Sequence, residues 1–220
     1  MKNRLYPLLV VLINYYAALY VLTGTAILVL GDLSVASTLF FLLVWIYLLP
    51  PLLCRTLILL VGRPSGTVSS NSTTFIYWWF LTQLQILYVR FAFLEELLRI
   101  FPGVYNLWLN LWGGRVSLFA YWSPAVTVAD RYFMNIGRGA VLGGGCRIGG
   151  HIIEHGPGDT QRLTLAAVTI DEHSVIGFHA AIGPGCHVHA HETVPAAKIL
   201  KPFYAWKDGR VHRPQTDECA

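Results

Sequence analysis

The first half of the chain alternates long apolar runs with short polar breaks. From Leu5 to Leu30 there is no charged residue. Some ~26 positions rising ~1.5 Å each reach ~39 Å, enough to cross a hydrocarbon core of ~30 Å with tilt. A cleavable leader would carry a shorter apolar run of ~7–15 residues. The turn GDLSVAS follows, and Thr38 to Val61 forms a second run. Pro50-Pro51 predicts a kink or break within it. Arg55 lies close enough to the end at Gly62-Arg63 to snorkel toward it. Lys2 and Arg4 precede the first run, the turn between the runs holds no Lys or Arg, and Arg63 follows the second. The positive-inside rule places both ends in the cytoplasm. Residues 1–63 are therefore expected to form a two-span transmembrane hairpin.

Residues 64–114 read as a polar linker and interfacial helices. After RPSGTVSSNSTT, the segment Phe75 to Phe101 is rich in aromatics (Tyr77, Trp78, Trp79, Phe80) but interrupted by Gln83, Gln85, Arg90, Glu95, Glu96 and Arg99. Those polar residues are too many for a lipid-facing span and suit an amphipathic helix at a membrane surface. Packing on the protein is the alternative. Pro102-Gly103 ends this helix, and Val104 to Trp112 predicts a second, closed by Gly113-Gly114.

From Tyr132 the helical period disappears and a beat of six replaces it. Ile136, Leu142 and Ile148 are spaced by six, and after a gap so are Ile170, Ile176, Ile182, Val188 and Val194. Gly follows many of them, and the fourth residue on is small: Ala140, Cys146, Ser174, Ala180, Cys186. A period of six fits short strands separated by corners, with the aliphatic inward and Gly at the bend. Stacked turns of such a chain bury one another's inner faces. Cys146 and Cys186 then have a packing role.

Hydrophobic residues make up 55% and charged residues 13% of the chain, with mean hydropathy +0.52. The charged share is well below the ~25% of an average soluble domain. A net charge of +4 without a basic stripe does not suggest nucleic acid. The four cysteines form no C-x-x-C pair and read as reduced thiols, which suits a cytoplasmic domain. No phosphate-loop or dinucleotide fingerprint supports a kinase or dehydrogenase.

The segments IGRGAVLGGGCRIGG and VTIDEHSVIGFHAAIGPGCHVHAHETV resemble the hexapeptide-repeat acyltransferases. The likeness runs from about Val126 to Leu200. It implies a left-handed parallel β-helix over residues 115–202, a homotrimer, and a tail over 203–220. Two spans, interfacial helices and one repeat domain are similar to a membrane-attached branch that includes the C-terminal units of amide-forming synthetase-like proteins. The implied activity is transfer of an acyl or aminoacyl group to a hydroxyl or amine. The donor would be a thioester, acyl-CoA or an acyl-carrier protein, with no permanently bound cofactor and no metal. The localisation implied is an inner or cytoplasmic membrane, with the catalytic domain in the cytoplasm.

HIIEH, His151 to His155, matches the H-x-x-E-H pattern of a zinc protease. Such a site needs a helix, and five residues between Gly150 and Gly-Pro-Gly hold none. In extended chain the two histidines stand ~13 Å apart, too far to share an ion. The stretch instead interrupts the beat of six and predicts an excursion loop. The resemblance implies a catalytic histidine there, His151 ahead of His155, with Glu154 a candidate to orient an imidazole. His179 is a further candidate, as base or in the donor tunnel. The same resemblance places the pantetheine arm near the later turns, where Gly177, Ala180, Gly183, Lys198 and Lys201 are the candidate contacts. His187, His189 and His191 share a face and are a candidate metal site. The γ-carbonic-anhydrase pattern of two histidines five apart fails, because Pro184 stands five after His179. A trimeric membrane scaffold without activity is the non-enzymatic alternative.

Overall fold

The structure, a computed structural model, describes residues 2–156 and 161–213. Helices α1 (Lys2–Asn14) and α2 (Tyr16–Leu30) follow one another with a single turn residue between. After a cap in which Ser34 accepts from the Ser37 N–H, α3 (Val35–Leu42) runs through a π-helical segment, Leu43–Leu48, into α4 (Leu49–Val61). Leu8–Leu30 and Val35–Val61, 23 and 27 residues, are long and apolar enough to cross a membrane. Their outer positions, among them Leu22, Val29, Leu39 and Leu60, are exposed.

Pro50-Pro51 does not break the second run. Proline lacks the N–H that would bond the carbonyl four residues back. The π-helical turn just before the pair absorbs part of this mismatch. The carbonyls left over are taken by side chains: Trp45 O by the Tyr20 hydroxyl, Ile46 O by the Tyr88 hydroxyl, and Tyr47 O by Trp108 Nε1 at 2.9 Å. Three separate helices thus repair one backbone defect.

Strand β1 (Gly66–Ser69) lies in the segment expected to be linker. Then come α5 (Thr73–Arg90), capped by Ser72, α6 (Phe93–Arg99) and α7 (Val104–Leu111). These helices do not lie free on a surface. α5 packs against α1, α2 and α4, and its Phe75, Trp78, Leu81, Leu84 and Tyr88 are buried, as are Gln83 and Gln85. Glu95 of α6 pairs with buried Arg131 at 2.5 Å, and the Arg131 guanidinium lies over the rings of Tyr88, Trp108 and Trp112. A buried charge needs such a partner, because desolvation of an unpaired ion is costly.

The second half is built of short strands: β2 (Arg115–Val116), β3 (Tyr121–Trp122), β4 (Thr127–Val128), β5 (Met134–Ile136), β6 (Val141–Leu142) and β7 (Arg147–Ile148). A pair follows, β8 (His151–His155) and β9 (Gln161–Leu165). The series resumes with β10 (Val168–Ile170), β11 (Val175–Ile176), β12 (Ala181–Ile182), β13 (His187–Val188), β14 (Thr193–Val194) and β15 (Ile199–Leu200), and ends with β16 (Ala205–Lys207) and β17 (Arg210–His212). Three sheets result, in the orders β17-β16-β13-β10-β5-β2, β14-β11-β6-β3 and β15-β12-β7-β4. Two are parallel throughout. The first is mixed, because β17 returns antiparallel to β16. A fourth sheet, β1-β9-β8, is antiparallel.

This division overturns the expectation of a left-handed parallel β-helix. In its place stand a helical N-terminal region and separate parallel and mixed sheets, with an antiparallel sheet that draws one strand from the linker. The strand series also passes residue 202, since β16 extends the first sheet.

Within the sheets the beat of six has its expected effect. Val116, Ile136, Ile170, Val188 and Trp206 stand in register across one sheet, Trp122, Leu142, Ile176 and Val194 across the next, and Val128, Ile148, Ile182 and Leu200 across the third. All are buried, while their preceding neighbours point outward. Cys146 and Cys186 are buried free thiols among them, and Cys54 is a third, in α4. Cys219 lies outside the described residues.

Candidate functional site

Two departures from the beat of six meet in space. The first is the interval from Val128 to Ile136, eight residues instead of six. The surplus is taken up by a 3-10 turn at Arg131–Phe133, with buried Asp130 just before it. Gln85 of α5 fixes the turn by accepting from the Arg131 backbone N–H at 3.0 Å. The second departure is the β8–β9 pair. It leaves the sheets through Gly149 and Gly150, and Ala166 N–H closes its base on Gly150 O at 3.0 Å. Gly150 lies so close beneath the Phe133 ring that a Cβ there would collide with it.

At this junction Asp130 Oδ2 accepts two hydrogen bonds, from the Gly150 N–H at 2.9 Å and from His151 Nδ1–H at 2.6 Å. A carboxylate can only accept, so the bond fixes the imidazole proton on Nδ1 and leaves Nε2 with its lone pair. The Asp130 side chain is 1% exposed and that of His151 27%, so the ring reaches solvent while its partner does not. Trp78 of α5 lies against the imidazole, ring centres 4.9 Å apart. Trp78 and Gln85 are seven residues apart on one helix and so share a face, which lets α5 hold both the histidine and the turn that carries Asp130.

Burial of the His151 ring lowers its pKa. The hydrogen bond to Asp130 and that residue's charge outweigh this, and the net shift is upward from the ordinary imidazole value. The neighbouring Tyr132 hydroxyl is pushed well above its ordinary range, first by burial and then by the Asp130 charge. It therefore stays protonated. An imidazole held through Nδ1 by a buried carboxylate keeps a basic lone pair on Nε2, which can take a proton from a bound hydroxyl or amine and return it to a leaving group.

The other candidates are placed differently. HIIEH is a strand, not a loop. Glu154 pairs with Arg162 across the hairpin at 3.2 Å, half exposed, and among the described residues no hydrogen bond joins it to an imidazole. His155 lies opposite Gln161, exposed and toward the end of the pair. His179 occupies a corner with φ +55°, its ring over Gly145 and edge-on to Phe178. Among the described residues no hydrogen bond joins it to His151.

The donor candidates lie at corners and strand ends of the sheets. Ala180 is fully buried in a corner. Gly177 is covered by the backbone of Val194 to Ala196, and Gly183 by that of Leu200 to Pro202. These three are close-packing positions. Lys198 lies over the Trp206 ring, and Lys201 is exposed. Substituting His155 with alanine is accordingly expected to leave stability and any donor turnover near the parent's, measured by thermal melting and thiol release.

Sequence reasoning missed Asp130 and Trp78. The interval of eight between Val128 and Ile136 was the available signal for Asp130, hidden because the beat is recognisable only from Ile136. No protein-family model matches the chain, and a comparison with curated proteins finds no match either.

Proposed function

We propose that this protein is a membrane-bound acyltransferase, moving an acyl or aminoacyl group from a CoA or carrier-protein thioester to a hydroxyl or amine. The observation that carries this reading is the buried Asp130 carboxylate on His151 Nδ1, with no hydrogen bond to Nε2 among the described residues. The likeness of the repeats to hexapeptide-repeat acyltransferases supports it.

In this reading the acceptor's X–H bond gives its proton to His151 Nε2 as X attacks the thioester carbonyl carbon. Asp130 stabilises the imidazolium so formed. The tetrahedral intermediate collapses, the C–S bond breaks, and the thiolate takes the proton back from Nε2. The products are the acylated acceptor and a free thiol, and the histidine is regenerated neutral.

The two apolar helices are the membrane anchor, with both termini and the strands on the cytoplasmic side of the inner or cytoplasmic membrane. Lys2, Arg4 and Arg63 support that orientation. Anchoring favours a lipid-linked or poorly soluble acceptor. Association as a homotrimer belongs to the same reading. Exposed Phe119, Tyr121, Phe178 and Ile199 on the strand-rich half suit contacts between copies.

The test is release of free thiol by the purified full chain in nanodiscs, offered short- and long-chain acyl-CoA or acyl-pantetheine with hydroxyl and amine acceptors. Acceptor-dependent release is expected. Its absence across the panel, with the protein folded, would overturn the assignment.

A further inference from the structure

A second set of reactive side chains lies on the outer face of the first sheet. On β13 and the residue after it, Val188 points inward, so His187 and His189 both point out. Their rings stack with centres 4.1 Å apart. The neighbouring strand β10 pairs Ile170 with Val188, which brings Asp171 level with His189. Asp171 Oδ2 lies 2.7 Å from His187 Nε2. One donor atom from each of the three residues falls within 4.8 Å of the others.

The backbone beneath this trio is pinned. The His187 and His189 N–H groups donate to Tyr204 O and Trp206 O, both at 3.1 Å. Buried Ser174 donates its hydroxyl to His189 O at 2.7 Å. The side chains above are only half buried, so they have room to rotate about the pinned backbone. A neutral imidazole is the form that ligates.

We propose that Asp171, His187 and His189 bind one divalent transition-metal ion of the zinc type, as a clip between β10 and β13. Two imidazoles and one carboxylate suit zinc rather than magnesium or calcium, which prefer all-oxygen shells. Three protein donors leave a fourth tetrahedral position for water. On binding, the ion replaces the hydrogen bond between Asp171 and His187, and the neutral imidazole keeps its single proton on Nδ1. Among the described residues no hydrogen bond joins the site to Asp130 or His151, and it does not depend on the acyltransferase reading.

The test uses the full chain in detergent, stripped with a chelator, then titrated with zinc chloride against a competing indicator. The expected result is one tight ion per chain and a higher melting temperature with zinc. His189→Ala and Asp171→Asn, which each remove a direct ligand, should each weaken binding by more than the about 10–100-fold lost when only a ligand's outer-shell partner is altered. The control is a variant of the other stacked imidazole pair, His173→Ala with His191→Ala. It should bind as the parent does. No tight zinc in the parent, or an equal loss in the control, would overturn the proposal. Because the three residues are half exposed, metal-free melting temperatures should match across the variants. That keeps a binding loss from being mistaken for misfolding.

Discussion

Replacing His151 with alanine is expected to slow thiol release by about 10²–10⁴-fold, the usual worth of a positioned general base. The Michaelis constant for the donor should change little, because the ring acts on the proton in flight and not on the pantetheine arm. Alanine leaves the Asp130 carboxylate with the Gly150 N–H alone, and a buried acceptor stripped of a donor is destabilising. His151→Gln separates the two effects. A glutamine amide can still donate to Asp130 but offers no basic nitrogen. Both variants should be slow, and the glutamine variant should melt closer to the parent. Near-parental turnover in the glutamine variant would remove His151 from the chemistry whatever its effect on stability.

The apolar runs were legible because their signal is additive along the chain, and each inward position of the later strands was legible for the same reason. Val116, Trp122 and Val128 keep the beat of six but escaped notice. A tryptophan stands in the aliphatic place, and the next interval is eight. Leu200 and Trp206 continue it at the other end. The helices α5 to α7 look amphipathic at a membrane surface. Their polar residues are instead spent on the protein: Gln85 on the Arg131 backbone, Glu95 on its guanidinium, Asn106 on Leu118 O and Ala120 O. Such pairings span tens of residues and leave no local period. His151 stood out as the first residue beyond the beat, but its partner lay 21 positions upstream. Only the three-dimensional meeting of two irregular intervals identifies Asp130 as the acid on His151, while Glu154, on the opposite face of the strand, pairs with Arg162.

Asp130→Asn tests that meeting through pH. In the parent the His151 pKa stands above its ordinary value, so as a base the enzyme should gain activity as pH rises through an inflection above ~6.5. The asparagine side chain keeps the volume and can still accept from Nδ1–H, but carries no charge. Burial then acts on the imidazole with less opposition, and the inflection should move to lower pH. The plateau rate should also fall, by up to about 10⁴-fold where loss of a buried aspartate disturbs both tautomer and imidazolium. Stability must follow the same sign. A histidine whose pKa is raised on folding contributes stability in full below its unfolded pKa and loses it as pH rises through the folded one. The parent should therefore exceed the Asp130→Asn protein most at acidic pH, and the pH-dependent part of that gap should close on the alkaline side of the inflection. Melting curves of both proteins across pH 5 to 9 measure this without substrate. A gap that is flat across that range, or an inflection that stays in place, would mean that Asp130 does not hold a protonatable His151.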